Sequence, residues 1–114
     1  MMYLLQIYST TATDAYDALS QEEKDALTSE YMAIGQTPGI AGGNQLQPPE
    51  TATTVRVQDG RTLTTDGPFA ETKEAVGGYY LYEADDLDAA IELAARIPAA
   101  RMGGAVEVRP VVER

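Results

Sequence analysis

The chain contains no cysteine and no histidine. Without cysteine it can form neither a disulfide nor a thiolate metal site, so packing alone must stabilise the fold. Without histidine it lacks the side chain that most often moves protons near neutral pH and most often binds transition metals. The sequence therefore excludes cysteine nucleophiles and histidine-based triads, and it implies no metal or organic cofactor.

Positive charge and long apolar runs are also scarce. The 114 residues include eight Lys and Arg against 18 Asp and Glu, which gives a net charge of -10. Binding to phosphates needs a basic face, so we expect no direct contact with nucleic acid or with an anionic membrane. Since no run is long enough for a membrane span and no export signal stands at the start, we expect one cytoplasmic domain over residues 1–114.

The first half of the chain predicts a strand, a helix, a loop and a hairpin. Residues 2–8 are apolar at both parities and are typical of a strand. The spacing of Ser20 and Glu23 is that of a capping box, which predicts a helix over about residues 21–34. Residues 36–49 are broken by proline and glycine pairs and predict a loop. Asp59-Gly60 then suits the tight turn of a hairpin.

The second half predicts a strand, a helix and a final strand. Residues 77–83 form the strand, with a bulge or a close chain approach at Gly77-Gly78. Asp85 or Asp86 caps the helix. One helix face is predicted to be apolar and consists of Leu87, Ala90, Ile91, Ala94 and Ile97. Residues 105–112 form the last strand, so the elements add up to an α+β fold with an antiparallel sheet.

The apolar pattern of the strands predicts a face-to-face homodimer. Residues 2–8 and 77–83 carry apolar side chains at both parities, and two helices can cover only one face of a four-stranded sheet. Each large apolar side chain left in water costs roughly 1.5–3 kcal/mol relative to burial. A second copy of the chain would remove that cost.

The segment from Thr65 to Glu74, which reads TDGPFAETKE, is followed at once by Gly77-Gly78-Tyr79-Tyr80-Leu81. It resembles the segment that names the DGPF branch of the YCII-related family. The opening strand, residues 49–57 and residues 94–111 extend the resemblance over nearly the whole chain. The resemblance implies a ferredoxin-like βαββαβ fold with an extra hairpin, paired into a dimeric α+β barrel that encloses a pocket for a small molecule.

The same resemblance leaves three functions open. The leading hypothesis is a dimer that binds a small, anionic molecule and has no assigned activity. The second is a cofactor-free isomerase, lyase or dehalogenase that acts on a small carboxylate or lactone, although the His-Asp pair of such relatives has no histidine here. The third is a regulatory module whose protein partner is linked to extracytoplasmic-function sigma factors.

Four residues are candidates for the pocket, either as groups that bind the ligand or as a catalytic base. Glu107 and Arg109 share one face of the last strand. They either pair with each other or with charges across the dimer, or Arg109 clamps an anion. Asp66 either shapes the Asp-Gly-Pro turn or acts as a general base. Tyr8 either donates its hydroxyl to the pocket or forms an edge of the core.

Three further features are weaker candidates. Lys73 is either part of a solvated charge run or a positive charge at the rim of the pocket. Phe69 is expected to be an apolar plug that holds its loop against the core. The carboxylates at Asp85, Asp86 and Asp88 are better explained by helix capping than by a cation site.

Overall fold

The computed structural model describes residues 1–10, 14–69 and 74–114. The strands are β1 (Met2–Thr10), β2 (Ile40–Gln45), β3 (Thr53–Gln58), β4 (Arg61–Asp66), β5 (Glu74–Glu83) and β6 (Ala105–Pro110). The helices are the single turn α1 (Asp14–Asp17), α2 (Gln21–Gly35) and α3 (Leu87–Arg96), and 3₁₀ turns lie at Pro49–Thr51 and Pro98–Ala100.

Four of the strands form one antiparallel sheet in the order β2-β5-β1-β6, with β1 and β5 in its centre. The strand order and the placement of α2 and α3 between strands fit the expected ferredoxin-like α+β fold. β3 and β4 form a separate two-stranded sheet joined by the Asp59-Gly60 turn. Both turn residues have positive φ, 51° and 74°, as the predicted tight hairpin requires.

The prediction of a loop over residues 36–49 is wrong, because residues 40–45 form the edge strand β2. Its two central glycines look like loop residues in the sequence, but one of them is needed for packing. A Cβ at Gly43 would lie 2.6 Å from the backbone oxygen of Tyr79 and 2.7 Å from Cδ1 of Tyr80. Glycine therefore lets β2 approach β5 closely enough to join the sheet.

The core lies between the two long helices and one face of the sheet. From β1 it takes Tyr3, Leu5 and Ile7, which are buried beneath residues of both helices. The helices contribute Ile34, Ala90 and Leu93 to this core, and Ile97 joins it directly after α3. The predicted apolar face of α3 is partly wrong, since Leu87 and Ile91 are about half exposed and Leu93 takes their place.

The predicted caps hold both helix starts. In α2 the backbone N–H of Glu23 donates to Ser20 Oγ, and the backbone N–H of Ser20 donates to Glu23 Oε1, both at 3.1 Å. In α3 the carboxylate of Asp86 accepts from the backbone N–H of Ala89 at 2.9 Å. Asp86 thus serves as a cap, as the sequence favoured. No helix within the described residues is long and apolar enough to cross a membrane.

Candidate functional site

The face of the four-stranded sheet that points away from the helices carries most of the candidate residues. Cross-strand partners share a face, so Gln6 of β1 faces the same way as Tyr79 of β5 and Glu107 of β6. We call this surface the open face; it consists of Leu4, Gln6, Tyr8, Tyr79, Leu81, Glu107 and Arg109.

Both long helices pack on the opposite face of the sheet, because their buried residues contact Tyr3, Leu5 and Ile7. The smallest dimension of the molecule is 19 Å. A helix layer about 10 Å thick on one twisted sheet accounts for this thickness. Leu4 and Leu81 on the open face are half-buried by their sheet neighbours.

Glu107 and Arg109 form an ion pair on the open face. Arg109 Nη2 donates to Glu107 Oε1 at 2.5 Å, and the two side chains are 67% and 41% exposed. A pair so exposed contributes about 0–1 kcal/mol to folding. The contact occupies one part of a guanidinium that has five N–H donors. Arg109 therefore keeps donors for a further acceptor.

Tyr8 lies on the same face but farther along it. It stands opposite Ala105, whereas Arg109 stands opposite Leu4. Four residues of strand separate the two positions, a distance of about 13 Å. The structure thus brings Glu107 and Arg109 together, and it places Tyr8 on their face at the other end of β6.

Two other polar groups of this region were missed by the sequence analysis. The side-chain amide of Asn44 on β2 donates to the hydroxyl of Tyr79 at 3.2 Å. Gln6 stands opposite both Tyr79 and Glu107. Gln6 could have been recognised as the polar exception in an otherwise apolar strand, whereas Asn44 lay in a segment predicted to be a loop.

Asp66 lies apart from the ion pair. It is the last residue of β4, is exposed, and stands opposite Thr53 at the base of the hairpin. The following turn is closed by its neighbours, since Gly67 N–H donates to the oxygen of Ala52 at 2.7 Å. Asp66 and Arg109 belong to different sheets. Strand pairing therefore does not place a base at Asp66 beside an anchor at Arg109 within one chain.

The remaining candidates give mixed outcomes. Lys73 lies outside the described residues. The expected role of Phe69 as a plug is wrong, because its side chain is 72% exposed. The guanidinium of Arg56 instead lies over the Phe69 ring, with Arg56 Cζ 4.6 Å from the ring centroid. A cation–π contact therefore replaces burial. Within the described part of the chain, no cluster of three or more His, Cys, Asp and Glu could hold a metal ion.

Two surface depressions lie on the helical side of the sheet. The first has a volume of about 480 Å³ and is lined by Tyr82, Leu93, Arg96 and neighbouring residues of α3. The second has a volume of about 280 Å³ and lies between Arg96, Arg101 and α2. Arg101 Nη2 donates to both carboxylate oxygens of Glu30, at 2.8 and 3.0 Å. Arg96 lines both depressions, and the sequence analysis did not consider it.

Tyr31 of α2 and Tyr80 of β5 both have raised pKa values. Burial raises the pKa of Tyr80. Burial also raises the pKa of Tyr31, and this effect exceeds the opposite effect of the hydrogen bond with the Ala99 backbone. The hydroxyl of Tyr80 donates to the backbone oxygen of Tyr31 at 2.9 Å. This hydrogen bond links β5 to α2.

Comparison with known proteins agrees with this architecture. The family model of the YCII-related domain matches residues 1–114. An uncharacterized protein of Rhizobium meliloti (strain 1021) is 32% identical over 117 residues, which cover 97% of this chain and 92% of that protein. The chain belongs to the YCII-related family.

Proposed function

We propose that two copies of the chain pair through their open faces and that the chamber between them binds a small anionic molecule. One observation carries this proposal: apolar Leu4 and Leu81 lie beside the Glu107–Arg109 ion pair on a sheet face that neither long helix covers. Pairing would bury the leucines and leave the charged groups to line a chamber.

Enclosure would turn Arg109 into an effective anchor. Two unit charges 4 Å apart attract by about 1 kcal/mol in water but by about 4 kcal/mol where the effective dielectric constant is about 20. In the single chain Arg109 is 67% exposed and therefore strongly solvated. A second sheet packed over it would exclude much of that water and strengthen its contact with an anion.

Glu107 would limit the charge of the ligand. Its carboxylate already neutralises Arg109, so a bound anion must share the guanidinium with it. A single carboxylate fits the remaining donors better than a phosphate or a dicarboxylate does, because the Glu107 carboxylate repels each added negative charge. Tyr8, about 13 Å along the strands, would contact only a longer ligand.

A thermal-shift screen with acetate, pyruvate, benzoate and succinate tests the proposal. A ligand at 100 times its dissociation constant stabilises the folded state by about 2.7 kcal/mol, which raises the melting temperature by about 10 °C in a domain of this size. Arg109→Ala should abolish the shift, and Glu107→Gln should enlarge it. Arg96→Ala is the matched control, since it removes an exposed arginine from the helical side.

The outcomes separate the two faces of the sheet. A shift that survives Arg109→Ala and disappears with Arg96→Ala would move the site to the depressions beside α3 and refute the proposal. Light scattering that gives a monomer at micromolar concentration would refute the chamber itself. A shift that depends on Arg109 in a dimeric protein supports both parts.

A further inference from the structure

The β3–β4 hairpin, residues 53–66, projects from the rest of the molecule, and we call it the arm. Its strands pair with each other, and the core cluster of the described residues includes no arm residue. Each six-residue strand is about 20 Å long. The radius of gyration is 16.0 Å, compared with about 13 Å for a compact domain of this length. The arm therefore lies outside the compact body.

One side of the arm carries two exposed valines among threonines, with Asp66 at its base, and no described residue of the core covers it. Val55 stands opposite Thr64 and Val57 opposite Thr62, which puts four β-branched side chains on one side, the valine face. Val55 and Val57 are 59% and 68% exposed. The other side carries Arg56, Arg61 and Leu63. Since an isolated two-stranded hairpin is at best marginally stable in water, we expect the valine face to be covered in the assembled protein.

The size of the open face also calls for an additional contact. Four strands spaced about 4.8 Å apart, with a mean length of about 25 Å, give a face of roughly 500 Å². Stable interfaces bury about 800 Å² on each partner. One side of the arm measures about 200 Å², and in a twofold dimer each copy would both offer an arm and receive one. Two such contacts bring the total to about 900 Å².

We propose that the arm reaches across the dimer and packs its valine face on the second copy of the chain. This inference rests on the dimer proposed above. The 3₁₀ turn Pro49–Thr51 at the base of the arm contacts β5, so the arm is continuous with the sheet that would form the interface.

The charge of the arm favours the same occupant. It carries two arginines and two aspartates and is therefore neutral, in a chain whose net charge is -10. A neutral arm can pack on an acidic second copy without adding charge repulsion.

Sedimentation equilibrium on a matched pair of variants tests the arm. The double variant Val55→Thr, Val57→Thr keeps the shape and β-branching of the valine face but removes its apolar character. Four valines are affected in a dimer, so we expect the dissociation constant of the dimer to rise about 100-fold or more. Leu63→Thr makes the same kind of change on the other side of the arm and should change the constant by less than about threefold.

Cross-linking provides a second measurement that does not depend on stability. Because the chain has no cysteine, Val57→Cys offers a single site for a photoreactive maleimide. In a dimer formed from ¹⁵N-labelled and unlabelled chains, we expect cross-linked peptides that join one labelled and one unlabelled chain.

Each outcome has a distinct meaning. A wild-type monomer at micromolar concentration would overturn the dimer and, with it, the role of the arm. A wild-type dimer that the double valine variant leaves unchanged, or cross-links confined to one chain, would overturn the arm contact alone. Equal weakening by Leu63→Thr would overturn the choice of the valine face.

Discussion

The edge strand β2 should accept a methyl group at Gly42 but not at Gly43. A Cβ at Gly43 would lie 2.6 Å from the backbone oxygen of Tyr79 and 2.7 Å from Cδ1 of Tyr80, whereas a Cβ at Gly42 meets no atom within 4 Å. The oxygen belongs to the β5 backbone, so relief requires a shift of one strand. Such overpacking costs about 1–3 kcal/mol. Gly42→Ala should instead stabilise the protein by about 0.4–1 kcal/mol, because alanine restricts the unfolded chain.

The two alanine variants should therefore differ by about 1.5–4 kcal/mol in free energy of unfolding. At about 4 °C per kcal/mol this corresponds to roughly 6–16 °C in melting temperature. Urea denaturation at one protein concentration, followed by circular dichroism, measures the difference. Equal stability of Gly42→Ala and Gly43→Ala would refute the packing of β2 against β5 and restore the loop that the sequence suggested.

Two further substitutions test the attachments of α2. Tyr80→Phe removes the hydrogen bond to the backbone oxygen of Tyr31 and should cost about 0.5–1.5 kcal/mol at neutral pH. Burial raises the pKa of Tyr80, so the stabilising contribution of its hydroxyl is complete below the unfolded-state pKa of 10.0 and is lost as pH rises through the folded-state pKa. In urea melts, the difference in free energy of unfolding between wild type and Tyr80→Phe should therefore narrow in alkali. A constant difference would contradict the burial of this phenol. Ser20→Ala removes the acceptor for Glu23 N–H and should cost about 1 kcal/mol, and an unchanged thermal melt would show that the cap contributes nothing.

Local signals in the sequence identified much of the fold. The capping box at Ser20, the hairpin turn at Asp59-Gly60 and the cap at Asp86 each depend on a few adjacent residues, and all three are present in the structure. β2 was missed because the need for glycine at Gly43 arises from contacts with β5. These contacts are distant in sequence: Asn44 and its partner Tyr79 are 35 residues apart. The exposure of Leu87 depends on how α3 docks, which helical periodicity alone does not define.

The candidate site was predictable only where strand alternation governs it. Glu107 and Arg109 are two residues apart in a strand, so their common face followed from the sequence. Asp66 was grouped with them because each could serve a pocket, but the hairpin forms a sheet of its own. No short-range pattern distinguishes an inserted hairpin from strands of the main sheet. The exposure of Phe69 was likewise not predictable, because it depends on tertiary contacts rather than on neighbouring residues.

The irregularity opposite Ile7 and Tyr8 gives β5 one residue more than its neighbour. Gly78 stands opposite Ile7 and Val76 opposite Tyr8, so Gly77 has no counterpart. The bulge reverses the alternation of side chains along β5: before it the even-numbered residues face the open face, and after it the odd-numbered residues do. Deleting Gly77 would remove the bulge, leave Val76 opposite Tyr8, and restore one regular alternation of side chains along the strand. A sequence pattern that runs one odd–even alternation through the whole of β5 therefore assigns Ala75 and Val76 to the wrong surfaces.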